Sequence, residues 1–143
     1  MARYCYTYSS IAESEEQMLN QLEATLAKHQ ISRDVGNAVM QTTSEAFINA
    51  LIHGNRLDPN KIITIEIEIN TTQIKISVTD QGEGGTGFSR SRVAPDPMAE
   101  SGRGIGLMEH FANNIKFHCT KTGGLKVSAT FDRQEDYSKI LQN

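Results

Sequence analysis

The chain has 143 residues, enough for one domain, spanning residues 1–143, with a single core and too few for a second full one. Its 14 basic residues stand against 17 acidic ones, a formal charge of −3 with no block of like charge, which excludes a general nucleic-acid binder. No apolar run reaches the roughly 18 to 20 residues that span a bilayer, and Met1-Ala2-Arg3-Tyr4 lacks a secretory apolar core, so a soluble, cytoplasmic protein with no membrane partner is expected. Residues 3–10 alternate Tyr4, Tyr6 and Tyr8 with Cys5 and Thr7, the pattern of an opening or edge strand. Over residues 11–29, Met18, Leu22 and Leu26 recur every fourth position and Glu13, Glu15 and Glu16 sit near the start, which predicts an amphipathic helix with acidic residues at its positive end. Ser32 then caps a second predicted helix to about His53, with Val35, Val39, Thr42, Ala46 and Ala50 as its inward stripe.

After the turn residues Asp58-Pro59-Asn60 the period becomes two. Ile63, Ile65, Ile67 and Ile69 share one face of residues 61–70, and Ile74, Ile76 and Val78 share one face of residues 73–80. Joined by Asn70-Thr71-Thr72, the two strands are expected to pair as an antiparallel hairpin. The same parity turns Asp80 inward, where a carboxylate is costly unless donors meet it. Residues 81–103 have no period and are rich in Gly, Ser and Pro, as lids and binding loops are. A short helix is predicted over residues 104–113, then a hairpin of residues 115–120 and 125–131 around Gly123-Gly124. Cys5 and Cys119 are too few for a disulfide framework and lack zinc spacing, so both are expected as small, buried, reduced side chains.

Three segments carry chemistry. Glu45, Asn49 and His53 recur every four residues along a helix face, and carboxylate and amide oxygens are ligands that Mg²⁺ accepts; a solvated face has the same pattern. Asp80-Gln81-Gly82-Glu83-Gly84 follows a strand, and an adenine amino group is one candidate donor to an inward Asp80. Gly102-Arg103-Gly104-Ile105-Gly106 opens a helix, where backbone N–H groups and the helix dipole suit phosphate. A dinucleotide-binding turn is excluded because no strand precedes these glycines, and a P-loop because its lysine motif is absent. Seven of the 11 glycines fall between Gly82 and Gly106, five of them within the last two segments.

In this order the segments resemble the three nucleotide-binding boxes shared by DNA gyrase, certain chaperones, mismatch-repair ATPases and histidine kinases. Within that superfamily the chain resembles bacterial anti-sigma factor serine/threonine kinases, through Glu45-Ala46-Phe47-Ile48-Asn49-Ala50, His53-Gly54-Asn55 and Gly102-Arg103-Gly104-Ile105-Gly106-Leu107-Met108. The resemblance implies a Mg²⁺-ATP-dependent kinase that phosphorylates Ser or Thr of an anti-anti-sigma (STAS-type) partner, holds a sigma factor in alternation, and forms a homodimer. It implies Glu45 as general base, Asn49 as the Mg²⁺ ligand, Asp80 as acceptor from the adenine amino group, and Gly82 and Gly84 as shapers of the base pocket. Gly102, Gly104 and Gly106, with Ile105 between them, would cradle the phosphates; Arg103 would add positive charge, and His53 would reach phosphate or substrate. A threonine common before the last strand is replaced by Leu125, so one adenine contact is expected to be missing.

The implied fold is α+β, a two-layer sandwich with three helices on one face of a mainly antiparallel mixed sheet. Two alternatives stay open: a non-catalytic ATP-binding partner switch, and a histidine-kinase-like ATPase domain acting on a separate protein.

Overall fold

The computed structural model describes residues 1–83 and 112–134. In chain order these form β1 (Ala2–Ser9), α1 (Ser14–Lys28), α2 (Arg33–Asn49), a π-helical turn (Ala50–Gly54), β2 (Ile62–Ile69), β3 (Gln73–Thr79), β4 (Asn114–Cys119) and β5 (Leu125–Asp132). The five strands make one sheet in the order β1-β2-β3-β5-β4. Every pairing is antiparallel, so the expected mixed sheet is antiparallel throughout its described strands. The described residues hold two α-helices rather than three. Most of the expected third, residues 104–113, lies outside them, and Ala112 and Asn113 are not helical.

Isoleucine parity sets the sheet's orientation. Ile63, Ile65, Ile67 and Ile69 are all buried, while Glu66 between them is exposed. Burying one such side chain contributes about 1.5–3 kcal/mol. A register slip of one residue exposes all four, at a cost on the order of 10 kcal/mol. On the same face Tyr6 Oη bonds Thr25 Oγ1 of α1 at 2.8 Å, Tyr4 Oη bonds His29 Nε2 at 2.6 Å, and the Tyr8 ring meets Phe47 of α2 edge-on at 5.8 Å. These contacts place both helices on that face.

The α2 stripe is as predicted: Val35, Val39, Thr42, Ala46 and Ala50 are buried, and Ser32 caps the helix by accepting from the Val35 N–H at 3.4 Å. The cysteines are not. Cys5 is exposed because its position in β1 is opposite in parity to the tyrosines, and Cys119 is half-buried.

Candidate nucleotide-binding site

The site is built where the end of α2 meets the end of β3. Beyond Asn49 the helix widens: the Asn55 N–H donates to the Ala50 carbonyl five residues back at 2.7 Å, and the Leu57 N–H to the Leu51 carbonyl at 2.9 Å. Such single-turn π segments interrupt α-helices at functional sites. Here the wide turn moves the inward position from the expected helical step after Ala50 to Asn55, which is 1% exposed. Two left-handed residues follow, Arg56 (φ 53°) and Leu57 (φ 57°), a conformation costing on the order of 1–3 kcal/mol at a residue other than glycine.

Asp80 is buried, as its parity predicts. Its Oδ1 accepts from the backbone N–H groups of Gly82 at 2.9 Å and Leu125 at 3.1 Å, and its own N–H donates to the Leu125 carbonyl at 3.0 Å. Oδ2 accepts no hydrogen bond among the described residues and faces Gly54. Burial pushes the carboxyl above the usual carboxylate range, while the two N–H groups and the Lys61 ammonium pull the other way. One oxygen is thus fixed by the protein and the other is available to a ligand.

Three glycines make this possible. A Cβ on Gly54 would collide with Asp80 Oδ2, one on Gly82 with the Gly54 carbonyl oxygen, and one on Gly124 with the Asp80 carbonyl oxygen. Neighbouring Gly123 has φ 94°, the left-handed turn that joins β4 to β5. Thr120 Oγ1 accepts from the Gly124 N–H at 2.8 Å and holds that turn. Leu125, standing where a threonine was expected, serves Asp80 through its backbone, which any residue other than proline can do.

Asn55 ties these parts together. Its Nδ2 donates to Ser10 Oγ at 2.6 Å and to the Ile62 carbonyl at 2.9 Å, and its Oδ1 accepts from the Gln81 N–H at 2.7 Å. Gln81 Oε1 in turn accepts from the Ile62 N–H at 2.8 Å. Gly54 and Asn55 belong to the motif His53-Gly54-Asn55, in which helical spacing gives neither a role. The five-residue step from Ala50 to Asn55 is the signal for Asn55, and it is read only by allowing a turn wider than the α-helical one.

Glu45 and Asn49 are half-buried on α2, and their side chains make no hydrogen bond or ion pair among the described residues; His53 is exposed. A carboxylate and an amide oxygen left open in this way fit a Mg²⁺ ion that takes its remaining oxygens from water and phosphate. Among the described residues no three His, Cys, Asp or Glu side chains cluster to hold a metal by themselves. The expected site residues Gly84, Gly102, Arg103, Gly104, Ile105 and Gly106 lie outside the described residues.

A family model described as the histidine kinase-like ATPase domain matches residues 9–131. The chain belongs to this family. An ATPase domain implies ATP as the ligand, and Asp80 lies within the matched residues. The histidine kinase-like chain is 31% identical over 93 residues to the anti-sigma F factor of Clostridium perfringens (strain SM101 / Type A), a match covering 62% of this chain and 66% of the relative. It is 26% identical over 113 residues to the anti-sigma F factor of Shouchella clausii (strain KSM-K16), covering 76% and 77%.

Two solved structures share the fold. The RsbU and RsbW domains of Rv1364c from Mycobacterium tuberculosis superpose with a TM-score of 0.68 at 16% identity, covering 92% of this chain and 32% of that one. The SiaB-SiaC complex from Pseudomonas aeruginosa gives 0.68 at 18% identity, covering 90% and 88%. Among the described residues no helix is long and apolar enough to cross a membrane.

Proposed function

We propose that the chain is a single-domain, cytoplasmic, Mg²⁺-ATP-dependent protein serine/threonine kinase of the anti-sigma type, which phosphorylates a STAS-type anti-anti-sigma partner and sequesters a sigma factor. The observation that carries the reading is the Asp80 carboxylate, with Oδ1 occupied by two backbone N–H groups and Oδ2 accepting no hydrogen bond among the described residues, in a chain of the histidine kinase-like ATPase family. Its likeness to anti-sigma F factors supports the choice of pathway.

In this reading Asp80 Oδ2 accepts from the adenine amino group, and Gly82 and Gly84 leave room for the base. Asn49 Oδ1 would hold Mg²⁺, His53 would reach phosphate or substrate, and Gly102, Arg103, Gly104, Ile105 and Gly106 would meet the phosphates. Bound Mg²⁺-ATP supplies the phosphoryl group. Glu45 takes the proton of the partner's hydroxyl while that oxygen bonds the γ-phosphorus and the bond to the bridging oxygen breaks, releasing ADP. Such transfer is mainly positioning and charge neutralisation. The homodimer reading is supported by β1, an edge strand among the described strands, in which Arg3 is the one charged residue.

The test is capture of partners on the full chain with and without ATP, followed by incubation with Mg²⁺-ATP and phosphosite mapping by mass spectrometry. A phosphoserine or phosphothreonine made by wild type and not by Glu45→Ala supports the kinase. The same absence of phosphopartner from both, with ATP still bound, leaves a non-catalytic partner switch in its place.

A further inference from the structure

We propose that Asn55 is the positioning residue of the adenine pocket, holding the Asp80 carboxylate in the one setting from which Oδ2 recognises an amino group. The proposal rests on the ATP-binding reading above and names a residue that acts through Asp80 without touching nucleotide.

Three of the four hydrogen-bonding capacities of the Asn55 amide are in use, in a side chain 1% exposed. The amide orientation follows from its partners, since Nδ2 meets a carbonyl and a hydroxyl while Oδ1 meets an N–H. Those partners belong to three separate segments: Ser10 just after β1, Ile62 at the start of β2, and Gln81 immediately after Asp80. Asn55 also follows Gly54, whose backbone packs against both the Asp80 side chain and Gly82. Asp80 is therefore held from two sides by one residue. The Asn55 backbone places Gly54 beneath the carboxylate, and its side chain fixes the Gln81 N–H beyond it.

The second tie is what an apolar residue of the same size lacks. Without Asn55 Oδ1, the Gln81 N–H at the pocket rim loses its acceptor, and the step from Gln81 to Gly82 is freed to turn toward water. Gly82 N–H is one of the two donors that hold Asp80 Oδ1, so its movement frees the carboxylate to rotate. The Gln81 carboxamide closes the ring through the Ile62 N–H, which keeps the strand ends at a fixed separation.

The test compares ATP with purine riboside triphosphate, which is ATP without its exocyclic amino group, by calorimetric titration of the full chain. Wild type is expected to prefer ATP by about tenfold to a hundredfold, the value of one hydrogen bond to a charged, buried acceptor. In Asn55→Ala the ATP affinity falls and the preference disappears, because both nucleotides are then held by their phosphates alone. A structural role confined to holding helix and sheet together would weaken both nucleotides equally and keep the preference.

If Asn55→Ala gives no cooperative thermal transition, Ser10→Ala carries the test, removing one acceptor and lowering the preference in part. A preference kept at the wild-type value in the variant that folds overturns the proposal. A wild type that binds both nucleotides equally removes the role of Asp80, and one that binds neither removes the ATP-binding reading beneath them all.

Discussion

Gly54 lies so close beneath Asp80 that a Cβ on the glycine would collide with Asp80 Oδ2 and stand 2.5 Å from its Cγ. Gly54→Ala is therefore expected to lose about 1–3 kcal/mol of stability, the range for overpacking, and to lose ATP binding as the carboxylate is pushed aside. Adding Asp80→Ala removes Oδ2 and Cγ, so the double variant should be less destabilised than the sum of the two single variants and should regain none of the binding. Thermal unfolding and calorimetry of the two single variants and the double variant check this. A Gly54→Ala protein with wild-type melting temperature and ATP affinity contradicts the contact.

The parts of this fold governed by strict periodicity were legible in the sequence. Four isoleucines at alternate positions oriented β2, and the same count carried along β3 turned Asp80 inward. The stripe from Val35 to Ala50 oriented α2 in the same way. What periodicity missed are its interruptions. The π turn shifts the inward position to Asn55, and no 3.6-residue pattern contains that shift. Gly54 and Gly124 matter because backbone from distant segments approaches them, which depends on tertiary contact. Cys5 departs from the burial usual for cysteine because its parity, opposite to Tyr4 and Tyr6, places it outside. Helical spacing singles out Glu45 and Asn49 as candidates, and strand parity singles out Asp80; their roles toward a nucleotide are those proposed above.

Acidification should act on Asp80 in opposite senses for stability and for ligand. In the unfolded chain the carboxyl titrates in the ordinary aspartate range, about 3.9, and in the folded chain burial holds it higher. Between those two values the folded state binds more protons. The contribution of Asp80 to stability is thus complete below the unfolded value and is lost as pH rises through the folded one. Unliganded Asp80→Asn should be free of this loss and show its largest stability advantage over wild type at neutral pH. ATP affinity needs the ionised acceptor, so it should rise with pH over the same window. Unfolding and calorimetry across that window check both slopes; wild type gaining stability relative to Asp80→Asn as pH rises would reverse the assignment.

Two adjacent threonines on α2 should respond with opposite sign to valine. Thr42 Oγ1 is buried with no hydrogen-bond partner among the described residues, whereas Thr43 Oγ1 donates to the Val39 carbonyl at 2.7 Å. A buried unpaired hydroxyl costs about 1–3 kcal/mol, and a satisfied one contributes about 0.5–1.5 kcal/mol. Valine keeps the branched shape and deletes the hydroxyl. Thr42→Val is expected to raise the unfolding free energy by about 1 kcal/mol and Thr43→Val to lower it by a similar amount. Denaturant unfolding decides the sign of each, and a destabilised Thr42→Val would mean that the hydroxyl has a partner.

The proposed homodimer can be tested at Cys5. Among the described strands β1 is at the sheet edge, it carries no proline or lysine, and an edge without such guards can pair with another strand. Two copies of β1 pairing antiparallel about an axis normal to the sheet keep their helices on one side. Centred on Cys5, that register sets Cys5 against Cys5 of a second copy, Tyr4 against Tyr6, and Arg3 against Thr7, with no like charges opposed. Mild oxidation of a Cys119→Ser chain should then give a disulfide-linked dimer. Cys5→Lys, which opposes two ammonium groups at the axis, should give a folded monomer by light scattering. A Cys5→Lys protein that stays dimeric places the interface elsewhere, because two like charges directly opposite one another are destabilising between paired strands.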